Sequence, residues 1–383
     1  MQIEKFKSGN FIQEEGYKSF LPTLINTSWN WTDSETNVLL EQASRELGGL
    51  NSFSDLIPDI DIFIKMHIRT EANKSSKIEG TKTSIQEELM DIEDILPEKR
   101  DDYEEVQNYI YAMDYGIRRI QNESFPLCTR LIKELHEILM QGVRGQHKTP
   151  GEYRTQQNWI GGTMPSNAVF VPPSVVSMGE LLSDFEKFIH NDEYQIPHLI
   201  KIAIIHYQFE TIHPFLDGNG RIGRLIIPLY LLEKKILEKP CFYISDFFEK
   251  NRTTYYDALQ NVRIKSDLAF WIKFFLKAVI YTAKSGKDKF RNVLSLVGDY
   301  EKRILSFSGR SESNMRVLKT FLHEPVLSSK ALQERTSLSQ ATIDKIIRNM
   351  FEAKMLTEIT GHSRNRIFVL EEYLRIFAGH QDD

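Results

Sequence analysis

His213-Pro214-Phe215-Leu216-Asp217-Gly218-Asn219-Gly220-Arg221-Ile222-Gly223-Arg224 gathers a base, a carboxylate, a glycine-bracketed turn and two arginines into one short run. Gly218 and Gly220 permit positive φ and close main-chain approach, so successive N–H groups can converge on an anion. The apolar run from Arg221 to Lys235 predicts a helix, whose N-terminus also favours negative charge. Arg221 and Arg224, three residues apart, share a helical face, and guanidinium forks match phosphate oxygens. Asp217 adds a hard oxygen ligand where two arginines already supply positive charge, which suits Mg²⁺ bridging phosphates better than a bare anion. His213, four residues earlier, can take a proton from a hydroxyl near neutral pH. The spacing predicts phosphoryl or nucleotidyl transfer.

A plainer reading makes Gly-Asn-Gly a turn between two helices, with both arginines solvated and His213 a core histidine. The number of specified positions, each at a background of about one in twenty, weighs against chance by several orders of magnitude. The stretch resembles the motif of the Fic (Fido) family, His-x-Phe-x-Asp/Glu-Gly-Asn-Gly-Arg-x-x-Arg, with every specified position present. The resemblance implies a mainly α fold, a helical core with a β-hairpin flap. It also implies AMP transfer from ATP to a Ser, Thr or Tyr hydroxyl of a protein, the chain itself included. By the same resemblance His213 is the general base, Asp217 the Mg²⁺ ligand, and Gly218, Asn219, Gly220 and Gly223 line the phosphate cradle. Arg221 and Arg224 grip the β and γ phosphates and stabilise departing pyrophosphate. ATP and Mg²⁺ are the implied cofactors, and a homodimer enters on resemblance alone.

Far upstream, Ser75-Ser76-Lys77-Ile78-Glu79-Gly80 resembles the family's inhibitory motif, Ser/Thr-x-x-x-Glu-Gly/Asn. Arg69 through Leu89 is helix-compatible, and Ser75 and Glu79 at i and i+4 share a face. Alone, the segment reads rather as an ordinary surface helix ending at Gly80. The resemblance implies that Glu79 pairs with Arg224 where a γ-phosphate would sit, acting as a brake, or that it positions water to remove AMP again.

Two further segments carry the resemblance. Gly151 to Gly162, followed by Ala168 to Pro173, reads as two short β-prone runs around a turn, hence a hairpin. It is similar to the flap that registers a target segment by strand addition, with Ile160, Gly161, Val169 and Phe170 as docking residues. Phe248 to Leu259 resembles the wall of the base pocket, which brings in Asn251, Tyr255 and Tyr256, although a Tyr stripe at helical spacing also suits a core. His206, Glu210 and His213 recur on one face without a third nitrogen or sulfur ligand, so His206 and Glu210 are expected in the core rather than on a metal.

The chain has 383 residues, 41% hydrophobic and 26% charged, with net charge −5 and two cysteines, Cys128 and Cys241. The charge argues against a nucleic-acid coat, and two cysteines against a zinc cluster or disulfide scaffold. Met1 to Lys7 lacks the apolar centre of a signal peptide, and no apolar run spans a bilayer, so a soluble cytoplasmic enzyme is expected, without membrane contact. Four regions are expected: 1–96 with the inhibitory helix, 97–284 as the catalytic core closed by a helix capped at Ser266, 285–307 as a linker helix, and 308–383.

The last region reads helix, helix, helix, hairpin. Leu327 to Arg348 looks like a helix-turn-helix with Ser339 as N-cap, and Leu356 to Val369, turned at Gly361 to Asn365, a wing. Arg310 to Arg375 holds eleven Lys and Arg against eight Asp and Glu. That weak excess is against DNA binding, despite Lys345, Arg348, Arg364 and Arg366, and winged helices also dock proteins. Two functions stay open: a protein adenylyltransferase with a glutamate brake, and an ATP-sensing winged-helix regulator. Transfer of another nucleotide, or of phosphocholine, would use the same cradle.

Overall fold

A computed structural model describes residues 1–55, 60–142, 146–307, 311–360 and 366–378. An antiparallel hairpin comes first, β1 (Gly9–Gln13) with β2 (Lys18–Pro22), Phe11 opposite Phe20. Eleven helices follow among the described residues: α1 (Ser34–Asp55), α2 (Ile60–Glu79), α3 (Ile85–Glu88), α4 (Arg100–Gln121), α5 (Thr129–Leu139), α6 (Val175–His190), α7 (His198–Ile212), α8 (Asn219–Glu233), α9 (Ser245–Lys250), α10 (Arg252–Lys265) and α11 (Leu268–Leu305). The C-terminal part runs α12 (Ser311–His323), β3 (Val326–Ser328), α13 (Ser329–Thr336), α14 (Gln340–Glu352), β4 (Thr357–Glu358), β5 (Ile367–Val369) and α15 (Glu371–Ala378), its strands antiparallel in the order β3-β5-β4. Ser328 and Ser339 cap α13 and α14 by accepting from Ala331 and Thr342 N–H. The expected wing turn, Gly361 to Asn365 with Arg364, lies outside the described residues, as do Ser308 to Arg310. No described helix is long and apolar enough to cross a membrane.

α7 is the pivot. Leu199 to Ile212 is buried on every side, as befits a helix surrounded by others; α1, α6, α8 and α11 pack around it. Its polar side chains therefore need partners inside. Lys201 Nζ donates to Asn191 O at 2.8 Å. His206 Nδ1 lies 2.9 Å from Gly223 O, and because a carbonyl only accepts, that nitrogen carries the proton. Nε2 then accepts from the Tyr255 hydroxyl at 2.9 Å. Trp271 and Phe248 stack on the same ring, and burial drives the imidazole down to about 3.

Away from the motif and the flap, the structure departs from the sequence reading in three places. The aromatic lead segment contains the β1–β2 hairpin, which the sequence reading lacked. Ser266 does not cap the closing helix: its φ of 59° ends α10, and Asp267 caps α11 by accepting from Phe270 N–H. α11 then runs unbroken through residues 284 and 285, because Gly286 packs against Leu50 of α1 instead of breaking the helix.

His206→Phe keeps the ring stack but removes a group that is neutral when folded. The unfolded imidazole binds a proton below about pH 6.5, while the folded one waits until about pH 3; stability tied to His206 is therefore present above pH 6.5 and is lost as pH falls toward 3. Urea titrations should show the variant less stable by about 1–3 kcal/mol at pH 8, for the orphaned Tyr255 hydroxyl, with that deficit closing as pH falls to 4. Its acid slope should be shallower by about one proton, or about 1.4 kcal/mol per pH unit.

Candidate active site

α7 ends at His213, whose φ of 49° lies in the left-handed region and turns the chain toward α8. Five residues on, Gly218 (φ 74°) caps α8. The first bond of that helix is Ile222 N–H to Gly218 O, so the N–H groups of Asn219, Gly220 and Arg221 are left over at its N-terminus. Of the two glycines, only Gly218 uses positive φ. Gly220 serves by lacking a side chain, since a Cβ there would collide with Glu79 Oε1 and press on Arg224.

The loop between the helices is closed from within. Asn219 Oδ1 accepts from Phe215 N–H and its Nδ2 donates to Phe215 O, both at 2.9 Å. The Asn219 side chain thus shapes the loop, and only its backbone faces the cradle. His136 of α5 stacks flat on Phe215, with centroids 3.7 Å apart. Gly151 N–H donates to His136 Nδ1 at 2.9 Å, so Nε2 carries the proton and donates to Asp217 O at 3.1 Å. Burial drives His136 to about 4. His136 was missed in the sequence, where nothing marks a lone histidine on an amphipathic helix.

The two arginines point to different partners. Arg224 is fully buried. Its Nε donates to Ser75 Oγ at 2.8 Å, and Nη2 to Ser75 O at 3.0 Å and Glu79 Oε1 at 2.6 Å. Burial works to raise the Glu79 carboxyl, but Arg224, and behind it Arg221, override this and hold it below its ordinary value. Arg221 Nη1 instead donates to Glu105 of α4 at 3.1 Å, with Met140 Sδ 3.8 Å from Nη2. Glu105 too had no sequence signal.

The structure also sorts the remaining expected residues. Asp217 is half exposed; one oxygen accepts from Gly218 N–H at 2.6 Å and lies 3.9 Å from Arg221 Nη2. A single outward carboxylate beside an N-terminal cradle fits Mg²⁺, which takes one or two protein carboxylates and completes its shell with water and phosphate. Gly223 turns away from the cradle: it contacts Glu210 and His206, and its carbonyl holds His206. Tyr255 is buried beneath the site with its hydroxyl on His206, whereas Tyr256 is 41% exposed and its phenol is raised by burial and by nearby Glu79. Asn251 joins α9 to α10, its amide donating to Phe247 O. Buried Glu210 is pushed up to about 7 by burial, with Arg224 pulling the other way. No group of three His, Cys, Asp or Glu among the described residues could hold a metal.

The flap is slighter than two strands. Ile160 and Phe170 form one antiparallel bridge, through Ile160 N–H to Phe170 O at 2.8 Å and Phe170 N–H to Ile160 O at 3.1 Å. Pairing stops there because Gly161 and Gly162 turn the chain, Asn167 ties that turn to Thr163 and Met164, and Pro172 and Pro173 lack donors. β2 supports it from outside, Phe20 N–H donating to Val171 O at 2.9 Å. Gly161 and Val169 face solvent, Ile160 is half-buried and Phe170 lies inside.

A Fic/DOC family N-terminal model matches residues 38–118, and a Fic/DOC family model residues 126–231. The chain is 29% identical over 178 residues to protein adenylyltransferase Fic of Aedes aegypti, an alignment covering 45% of this chain and 32% of that protein. It is 32% identical over 129 residues to protein adenylyltransferase Fic of Drosophila yakuba, covering 33% and 24%. The chain thus spans about a third or less of the length of these relatives. Among solved structures, a Fic family protein from Desulfovibrio desulfuricans superposes with TM-score 0.54 at 19% identity, covering 88% of this chain and 96% of that one. Fic-1 (residues 134–508) from C. elegans gives 0.52 at 19%, covering 67% and 74%. With the fold, the motif and both matched regions in agreement, the chain carries a Fic/DOC family N-terminal region and a Fic/DOC family domain.

Proposed function

We propose that this protein is an adenylyltransferase that moves AMP from ATP onto a protein hydroxyl and is held in check by Glu79. One observation carries the reading: a carboxylate already lies over the N-terminus of α8, 2.6 Å from Arg224, in the manner of an oxygen of a bound phosphate. Arg221, Arg224 and the leftover N–H groups of Asn219 to Arg221 then receive the triphosphate. Mg²⁺, held by Asp217, would neutralise phosphate charge and so ease pyrophosphate departure.

His213 acts as the base. Burial, then Arg263 and Arg154, drive its imidazole down to about 3, so it is neutral at physiological pH and ready to accept. It takes the proton of the acceptor hydroxyl as that oxygen attacks the α-phosphorus, and the bond to pyrophosphate breaks. The flap aligns the target main chain along Ile160 and Gly161, with Val169 and Tyr256 at the solvent-facing rim.

Glu79 blocks this chemistry by occupying the fork of Arg224. Its side chain is about one-third exposed while Arg224 is fully buried, so the carboxylate is the partner that can leave. Glu79→Gly should raise incorporation of α-labelled AMP, self-modification included, by about tenfold or more, since a charge-assisted hydrogen bond contributes about 1.5–3 kcal/mol. Equal or lower incorporation would remove the brake. In the Glu79→Gly background, His213→Ala should still bind ATP by calorimetry while transfer falls about 10²–10⁴-fold. Loss of binding and transfer together would count against His213 as the base.

A further inference from the structure

Two buried guanidiniums meet at the end of α7, and among the described residues neither forms an ion pair with a carboxylate. Arg154, 1% exposed, donates from Nε to His213 O at 3.0 Å and from Nη2 to Ile212 O at 3.5 Å. The same Nη2 reaches Pro173 O at 2.6 Å, and Arg154 N–H bonds Pro214 O at 2.9 Å. Arg263, 7% exposed, arrives from α10 on the other side. Its Nη2 donates to Glu210 O at 2.9 Å, its Nε to Thr211 Oγ1 at 3.2 Å, and its guanidinium lies 4.0 Å over the ring of Phe170. Phe170 is the bridge residue of the hairpin, and Pro173 lies at its foot.

The last carbonyls of a helix lack intrahelical donors and have to be capped. A neutral side chain suffices for that, and Asn158 already supplies one, its Nδ2 reaching His213 O at 3.1 Å and Phe215 O at 2.8 Å. Burying two cations as well is costly unless they do something a neutral cap does not. What distinguishes them is reach: the Asn158 side chain bonds only the His213–Phe215 segment, whereas Arg154 also grips Pro173 O and Arg263 covers Phe170, both on the returning arm of the hairpin. Building on the transferase reading above, we propose that Arg154 and Arg263 are positioning residues that lock the target-docking hairpin to the His213 segment, so that a single frame places both the acceptor hydroxyl and the base.

Electrostatics agrees with this placement. A helix C-terminus favours a protonated histidine, which would disable the base. Burial opposes that, and Arg263 and Arg154 reinforce it; Glu79, across the cradle, pulls the other way. Glu210, the carboxyl on α7 nearest Arg263, is itself pushed up by burial and is a weak counter-charge near neutrality.

The test uses the full chain with Glu79→Gly, adding Arg263→Gln, Arg263→Lys or, at the second site, Arg154→Lys. Thermal midpoint, ATP affinity and AMP transfer are measured together with the ring signals of ¹⁵N-histidine-labelled protein, the His213 and His206 signals being assigned from His213→Ala and His206→Phe. Transfer should fall about 10²-fold, as expected for a misplacement of about 1 Å, while ATP affinity holds within about twofold. The His213 signal should move and that of His206, clamped between Gly223 and Tyr255, should not; Arg263→Lys should recover part of the transfer lost in Arg263→Gln. Unchanged transfer in the Arg263 variants overturns the proposal. So does a general loss in which thermal midpoint, ATP affinity and both ring signals change together. A folded, ATP-binding chain whose His213 signal moves but which transfers nothing, the Glu79→Gly parent included, retains the coupling and removes the transferase reading instead.

Discussion

A guanidinium taken wholly out of water must find acceptors for its fork or cost several kcal/mol, and Arg224 is such a group. Ser75 and Glu79 supply those acceptors, which makes α2 part of the core. Its other turns are anchored as firmly. Glu71 accepts from Ser245 N–H at 3.0 Å and from the Tyr109 hydroxyl at 3.2 Å, and Asn73 donates to Thr83 O at 2.7 Å. The alternative of a loose surface helix ending at Gly80 does not survive this burial: from Thr70 to Ile78 every side chain but the half-buried Lys77 lies inside, and Glu79 comes out only at the end. In the proposed brake, release is therefore a swing of Glu79, with Ser75 left behind to keep Arg224 aimed at the cradle.

The site lies where two helix ends are set back to back. α7 closes with its carbonyls toward His213, and α8 opens five residues later with its N–H groups outward. The first end is negative and the second positive, so a proton acceptor and an anion receptor are joined by one short loop. That loop does not depend on a ligand for its shape. Asn219 bonds it across at both edges, His136 is stacked against Phe215, and His136 in turn ties it to Gly151 at the start of the flap segment. Donors already in place need no reorganisation when charge develops, which is where electrostatic catalysis gains most.

What could be read in the sequence was whatever chemistry is contiguous. The cradle, its base and its arginines occupy neighbouring positions, and Ser75 and Glu79 share one helical face, so both could be recognised before any contact was seen. The residues that brace them could not. His136, Glu105 and Arg263 lie 81, 116 and 53 positions from the groups they hold, and each is an ordinary side chain until tertiary packing gives it a partner. Helical phase was equally hidden: Tyr255 and Tyr256 are adjacent, yet successive positions differ by about 100° around a helix, which sends one under the site and the other to its rim. Ser266 and Asp267 posed the same difficulty, two good caps side by side. The β1–β2 hairpin escaped because β1 is almost wholly exposed and has no alternating apolar pattern to read.

The carboxylate of the proposed brake also bears on how the site is stored. Without an anion, the α8 N-terminus and Arg224 would face one another uncompensated across a small space, Arg221 being paired with Glu105, while the loop bonds and Ser75 still hold their shape. Glu79 supplies negative charge at that point, and it acts on His213 as well, drawing its imidazole upward against burial and the two flanking arginines. A phosphate arriving as Glu79 swings out would replace one negative charge with another. The field at the base and the aim of the arginines would then change little between the two states. On this argument the residue proposed to exclude the nucleotide also keeps at the cradle the negative charge that the nucleotide would bring.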